Sequence, residues 1–387
     1  MAKIQQRLLL IAFIFLLGIR PSLSAPSAVA GDSFSGDKPE ITIMTYNVEN
    51  LFDTEHDRGK DDWDFLPKNY PGKKSGCARK SPNYRFRCLK SDWTPDKLQI
   101  KLRQIKKMVT YSNGLPDILA VQEIENENVA RMLSDTLGFN RFILEEGPDR
   151  RGIDVALFFN EDKVTYLTHR IWTLRGDSFE KHPSRDILGV YFEFPKGDKM
   201  SVLAVYVNHW PSQRAPSMKR VMAAQQLKKF LEEDRRKYGS AFHAVVLGDF
   251  NTVNRDWPHP INSVLLNPSW IHHLIDVQSL AKKYGYYKAN SPLGSYFYPP
   301  RMEWSFLDRV LISQNLHDAK GLEASLKSFS VISPKFAKRA FRYTRSESAL
   351  RGSMVMGVPI RYNHNASDIR KAGYSDHFPI SVKIRYR

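Results

Sequence analysis

The sequence predicts a mixed α/β sheet architecture, on three observations. Short apolar runs of strand-like composition recur between residues 41 and 384. Amphipathic helical patterns lie between them in the front and middle of the chain. Polar motifs sit at or near the ends of the runs. Strand ends are where an open sheet presents functional side chains.

The elements follow in order. Residues 41–47 read as a strand, and a long polar insertion runs from about Asp53 to Trp93. Thr94-Pro95 reads as a helix start, with threonine as N-cap and proline at the first position. Leu98, Leu102, Ile105 and Val109 then share one helical face, and Asn113-Gly114 ends it. A buried strand over 117–121 leads to Glu123, and a short helix over 129–137 is closed by Gly138. Strands are expected over 154–159, 188–194 and 202–207. A long helix over 214–238 stops at Gly239, and a buried strand covers 244–247. The last strands cover 304–312 and 380–384. No repeat or linker divides the chain. The expectation is one domain over 41–387 with insertions at 53–93 and 325–373.

The N-terminus has the layout of a secretory signal: Lys3 and Arg7, an apolar stretch from Leu8 to Leu17, then small residues with candidate cleavage after Ser24 or Ala30. That stretch is short for a membrane span, so residues 1–30 are expected to be removed, with 31–40 a disordered lead-in. The product would be periplasmic or secreted, with no transmembrane anchor, and monomeric. Cys77 and Cys88 are the only cysteines. In an oxidising compartment they are expected to pair.

The formal charge is +17, and removing Lys3, Arg7 and Arg20 with the leader lowers it by three to +14. Residues 73–107 carry twelve Lys/Arg against Asp92 and Asp96, and residues 325–373 carry ten against Glu347 and Asp368. Charge runs are often merely solvated faces. Two such segments beside a phosphoester site favour a polyanionic substrate.

Six motifs carry the chemistry: Thr45-Tyr46-Asn47-Val48-Glu49-Asn50, Val121-Gln122-Glu123, Asn208-His209-Trp210, Gly248-Asp249-Phe250-Asn251, Leu307-Asp308-Arg309 and Ser375-Asp376-His377. They supply carboxylates, amides and imidazoles, the groups suited to a hard divalent cation and a phosphate ester. Any one of them alone is equally consistent with an ordinary turn. Taken as an ordered set over residues 41–386, they resemble the endonuclease/exonuclease/phosphatase superfamily, which includes deoxyribonuclease I, exonuclease III-type repair endonucleases, inositol polyphosphate 5-phosphatases and neutral sphingomyelinases. The spelling Asn47 to Asp53 looks like an exported bacterial subgroup.

The resemblance implies a deoxyribonuclease I-like four-layer sandwich, two packed mixed sheets flanked by helices, and in-line hydrolysis of a phosphate ester by water. It implies Mg²⁺ as cofactor, with Mn²⁺ and Ca²⁺ as alternatives. By the same resemblance Glu123 is the principal metal ligand, with Asn47 and Glu49 completing the shell directly or through water. Asp376 helps bind metal or positions the last histidine. Asp249 orients or deprotonates the attacking water, and Asn251 holds the phosphate. His377 contacts the phosphoryl oxygens or serves as base, its ring fixed by Asp308. His209 binds or protonates the phosphate from the other side. Glu49 stands where many relatives carry Asp, which puts its direct ligation in doubt.

Three readings of function compete. The first is an exported nuclease acting on DNA, with RNA left open as a further substrate. The second is a phosphoesterase of a phospholipid or inositol phosphate, for which an apolar hairpin would be the sign; Met354 to Ile360 is the nearest candidate. The third is a catalytically dead binding module, against which the complete ligand set argues. Arg185 and Asp186 read as a structural pair or a substrate contact. Trp210, Trp257 and Trp304 are expected in the core.

Overall fold

The computed structural model describes residues 40–112, 114–196, 199–344 and 348–386. The expected leader and nearly all of the lead-in lie outside the described residues, apart from Glu40, which opens the first strand. Sixteen strands are seen: β1 Glu40–Leu51, β2 Ile118–Ile124, β3 Arg141–Leu144, β4 Asp154–Phe159, β5 Thr165–Trp172, β6 Ile187–Lys196, β7 Lys199–His209, β8 Phe242–Asp249, β9 Ile275–Asp276, β10 Tyr296–Tyr298, β11 Glu303–Ser305, β12 Asp308–Ile312, β13 Leu322–Val331, β14 Lys338–Arg342, β15 Met354–Pro359 and β16 Ile380–Tyr386. Seven α-helices accompany them: α1 Lys73–Ala78, α2 Pro82–Lys90, α3 Pro95–Val109, α4 Glu127–Leu137, α5 Asp177–Lys181, α6 Ser217–Tyr238 and α7 Val277–Lys283.

Two six-stranded sheets form the centre, in the orders β13-β16-β1-β2-β4-β3 and β5-β6-β7-β8-β12-β9. Both are mixed: β1 pairs parallel with β2 and antiparallel with β16, and β7 pairs parallel with β8. Side-chain alternation explains how the sheets pack. In β7, Leu203, Val205 and Val207 belong to the core shared with the first sheet, whereas Ala204 and Tyr206 belong to the core under α6. Both faces of such a strand are buried, so it reads as an uninterrupted apolar run. Leu227 and Leu231 close the layer from the helix side. On the other flank, Leu98, Leu102 and Ile105 of α3 and Val129 and Leu133 of α4 pack into the first core. The result is the four-layer sandwich. No described helix is long and apolar enough to cross a membrane.

The helix starts and the Gly138 stop act as read, but α3 already ends at Val109, ahead of Asn113-Gly114. Proline opens α3 and Gly138 closes α4 in a left-handed conformation, φ 93°. Thr94 takes the extended cap position but makes no side-chain cap bond. Asn126 caps α4 instead, accepting from Val129 N at 3.0 Å.

Four expectations are corrected. The run 304–312 is two strands, because β11 pairs with β10 whereas β12 turns into the second sheet beside β8. The second basic segment is not wholly an insertion: residues 325–331 continue β13, which pairs with β16 at the edge of the first sheet. The insertion 53–93, read as merely polar, holds α1, α2 and a small core of Trp63, Leu66, Cys77 and Cys88. Gly76 lets that core close, because a Cβ there would lie 2.1 Å from the Trp63 ring. Cys77 and Cys88 are bonded, as expected. Finally, Trp210 is buried and Trp304 half-buried, but Trp257 stands 87% exposed.

Candidate active site

The sequence motifs meet where the ends of β1, β2, β7 and β8 face the segment before β16. Their backbone is unusual there. Glu49 and Asn50 at the end of β1, Glu123 in β2 and Asn251 after β8 all have positive φ, from 50° to 66°. The register of β1 shifts between Asn47 and Leu51, and that of β2 between Gln122 and Ile124. Bulges of this kind re-aim side chains, and left-handed non-glycine residues persist only where the surroundings enforce them.

Asn47 links two carboxylates. Its amide nitrogen donates to Glu123 Oε1 at 3.1 Å and to Asp249 Oδ2 at 3.0 Å, while its oxygen accepts from Glu49 N at 3.0 Å. His209 Nε2 lies 3.6 Å from Asp249 Oδ2 and 3.8 Å from Glu123 Oε1. Burial, with Arg185, Arg151 and His377 nearby, holds His209 well below the ordinary imidazole range. It is neutral at pH 7. His377 is the opposite case. Burial alone would lower it, but Asp308, whose Oδ2 meets Nδ1 at 2.7 Å, outweighs burial together with Asp249 and Asp376. His377 is an imidazolium. Its Nε2 faces Asp249 Oδ2 and Asp376 Oδ1, each at 3.9 Å. Burial raises Asp249 to about 7, aided by Asp308 and Glu123 and opposed by His377 and the Asn251 N–H.

Asn251 is set by two bonds: its N–H donates to Asp249 Oδ1 at 2.8 Å and its amide to the Trp210 carbonyl at 3.1 Å. One amide hydrogen remains for a ligand. Arg185 donates to the same Trp210 carbonyl and lies 3.4 Å from Asp149. It is 5% exposed, so its structural role is evident.

Glu49 departs from the ligand role the resemblance implies. Arg361 meets its Oε1 through Nε at 2.8 Å and Nη2 at 2.7 Å, and the N–H groups of Tyr362 and Asp376 donate to Oε2 at 2.9 and 2.8 Å. Both oxygens are engaged. Burial and Asp376 raise its proton affinity against Arg361 and Lys101. Asn47 likewise turns its NH₂, not its oxygen, towards the carboxylates. Glu123 and Asp376 remain as partly exposed hard oxygen donors, at 21% and 17% side-chain exposure. They fit a Mg²⁺-like ion, which needs only one or two carboxylates and keeps several waters.

The family model described as Endonuclease/Exonuclease/phosphatase family matches residues 42–386. The chain belongs to this family. No curated protein matches it. Among solved structures it is similar to a D. rerio TDP2 humanized by 14 mutations, with 14% identity, a TM-score of 0.51, and coverage of 89% of this chain and 98% of that one. It is also similar to a family protein from Bacteroides thetaiotaomicron (17% identity, TM-score 0.49, 91% and 99% covered) and to a mannosyl-6-phosphatase from the same organism (17%, 0.47, 89% and 99%). These likenesses concern the fold. Members of the endonuclease/exonuclease/phosphatase family are phosphoesterases, typically dependent on a divalent metal.

Beside the site of this family member lies a cleft of about 1000 Å³ that reaches Glu49 and Arg361. One wall is the disulfide-bonded lobe, which contributes Lys80, Tyr84, Phe86, Arg87 and Lys90. Arg151, Arg214 and Arg339 line the remainder. Tyr84 and Phe86 are 42% and 60% exposed. Lys90 sits over Phe86, Arg87 over Tyr84, and Arg214 donates to the Tyr84 hydroxyl.

Not every basic residue serves that surface. Lys73 is buried, donating to the Leu66 carbonyl and to Ser91. Lys101 is fully buried and donates to the Glu49 and Tyr374 carbonyls, each at 3.2 Å. Burial lowers it to about 8. Sequence reasoning missed Lys101, Arg361 and Arg151. Lys101 had left a signal: it falls three residues after Leu98 and four before Ile105, on the apolar face of α3. Tyr296, whose ring lies 4.9 Å from that of His377, gave none.

Proposed function

We propose that this protein is an exported, divalent-metal-dependent nuclease that hydrolyses phosphodiester bonds of DNA, with RNA as the alternative substrate. The observation that carries the reading is the cleft: cations and exposed aromatic rings on a lobe outside the sandwich lead straight to the Glu49–Arg361 edge of the site. A polynucleotide offers both a phosphate backbone for the cations and bases that stack on Tyr84 and Phe86. The signal-like N-terminus and the Cys77–Cys88 bond support export.

The residues divide the work by their charge. Glu123 and Asp376 would hold the metal, which neutralises phosphoryl charge when bound. Asp249, near neutrality in its affinity for a proton, orients the attacking water and accepts its proton. His377, charged and held by Asp308, stabilises negative phosphoryl oxygens. His209, neutral, donates a hydrogen bond to a phosphoryl oxygen, and Asn251 offers its second amide hydrogen.

A second reading has one observation of its own. The expected apolar hairpin is a real ribbon, β14 paired with β15, and its Met354 and Met356 are 60% and 68% exposed. A lipid surface would suit it. Incubation with plasmid DNA, RNA, sphingomyelin vesicles and inositol phosphates, each with Mg²⁺ and with EDTA, separates the readings. Turnover of DNA or RNA only, abolished by EDTA, is expected. Turnover confined to vesicles or inositol phosphates overturns the nuclease reading.

A further inference from the structure

A second cluster of carboxylates lies outside the catalytic groups, where the chain leaves β1. Asp57 and Asp62 belong to the turn that opens the disulfide lobe, and Glu125 directly follows β2. One oxygen from each of the three lies within 4.8 Å of the others, the only such triple of histidine, cysteine or acidic groups among the described residues. Asp62 and Glu125 are 0% and 1% exposed. Backbone and amide donors hold each of the three in place. Glu125 Oε2 accepts from Asp53 N at 2.8 Å, Asp62 Oδ2 from Asp57 N at 2.7 Å, and Asp57 Oδ2 from the Asn126 amide at 3.1 Å. The other Glu125 oxygen, Oε1, is buried and has no hydrogen-bond partner.

That orphaned oxygen is free to bind a ligand. A buried carboxylate oxygen with no donor costs free energy, and like charges this close raise the cost further. The usual remedy is missing: among the described residues no lysine or arginine is paired with the triple, and only the His56 ring, whose Nδ1 lies 2.5 Å from Asp62 Oδ1, meets it. Lys60, in the same turn, sends its ammonium to the Gly147 and Asp149 carbonyls instead. Three carboxylates gathered at one point without such a partner would be neutralised by a cation from solution.

We infer that Asp57, Asp62 and Glu125 hold a structural divalent cation, Ca²⁺, separate from the catalytic metal. Hard oxygen donors select Ca²⁺ or Mg²⁺, and Ca–O distances of about 2.3–2.6 Å place oxygens of one shell up to ~5 Å apart. Three carboxylates at one point suit Ca²⁺, which accepts flexible oxygen coordination, better than Mg²⁺, which demands a near-ideal octahedron and is held by one or two carboxylates. The ion ties the root of the disulfide lobe to the end of β2, two residues past Glu123. It thereby steadies both one wall of the cleft and the bulge that aims Glu123.

Trp63 provides a probe, because its ring packs on His56 with centroids 3.7 Å apart. Full-length protein carrying Glu123→Gln, which disables the catalytic ligand, is stripped with EDTA and titrated with Tb³⁺ under tryptophan excitation. Sensitised emission that saturates and is displaced by Ca²⁺ is expected. Asp62→Asn and Glu125→Gln, each added to Glu123→Gln, should weaken binding by at least about tenfold. Ca²⁺ should also raise the melting midpoint of Glu123→Gln saturably, and still do so in Trp63→Phe, where the emission is lost. Mg²⁺ is run in parallel, and a larger rise with Mg²⁺ would overturn the choice of ion. Emission and melting midpoint that ignore Ca²⁺, or respond equally in Glu125→Gln, would overturn the site.

Discussion

The Arg361 guanidinium grips the Glu49 carboxylate through Nε and Nη2, at 2.8 and 2.7 Å, and the same Nη2 lies 3.2 Å from Asp376 Oδ2. Glu49 is thus tied to the loop carrying Asp376 and His377. In Glu49→Gln the Mg²⁺ concentration for half-maximal activity should stay within about twofold of the parent, while stability falls by ~1–3 kcal/mol through lost charge-assisted bonds. Urea unfolding beside a Mg²⁺ titration measures both. A large shift in the metal midpoint at unchanged stability would restore Glu49 as a direct ligand.

Glu123→Gln and Asp249→Asn should abolish hydrolysis, and EDTA should do the same to the parent. Asp249→Asn should not lower stability at neutral pH. The folded protein holds the Asp249 proton to about 7, against about 3.9 unfolded. The folded state therefore binds more protons between these values, and this group's contribution to stability falls as pH rises from 4 to 7. The variant should lack that fall. Melting curves at pH 5, 6 and 7 check the slope, and activity remaining in EDTA would overturn the metal mechanism.

His209→Ala and His377→Ala should each lower turnover by about 10²–10⁴-fold. Their stabilities should differ with pH. His377 is raised in the folded state, so its pairing with Asp308 contributes fully below pH ~6.5 and is lost as pH rises through the raised value. His377→Ala should therefore lose more stability at pH 6 than at pH 9. His209, neutral when folded, should cost least at low pH. Equal pH profiles of unfolding would contradict these charge assignments.

The Cys77–Cys88 bond closes a short loop, whose opening should destabilise the lobe by roughly 3 kcal/mol. Thiol titration of the unreduced, denatured protein should find no free thiol. Cys88→Ser should expose the lobe to proteolysis while the sandwich persists. Two reactive thiols would refute the bond and weaken the case for export.

Cleft charges should be read through salt. Arg87, Lys90 and Arg214 replaced by Ser should weaken DNA binding and flatten its dependence on log[salt], by about 0.9 for each phosphate contact removed. Tyr84→Ala and Phe86→Ala should weaken single-stranded binding by ~1–3 kcal/mol each without changing that slope. Lys73 is unsuited to such a test, since its ammonium is consumed inside the lobe. Fluorescence anisotropy at several salt concentrations suffices. An unchanged slope would place the DNA, or the function, elsewhere.

Local pattern and motif order determined a good deal without any fold in hand. Apolar runs and terminators placed β2, β4, β7, β8, α3, α4 and α6, since a strand buried on both faces and a capped amphipathic helix carry their signal in consecutive residues. The order of six motifs was enough to name the superfamily, its sandwich and the residues that gather around Asp249. Only tertiary structure decided which of those groups is free to act. Glu49 lies 312 positions from Arg361 in sequence, so nothing local reveals that its oxygens are already engaged. The same holds for His209 and His377, identical in chemistry, which burial beside Arg185 and contact with Asp308 shift in opposite directions. It holds equally for Glu125, an unremarkable acid in the sequence, whose carboxylate becomes conspicuous when folding buries it beside Asp57 and Asp62. Charge state and ligand availability are set by neighbours distant in the chain, and those neighbours exist only once the sheets have packed.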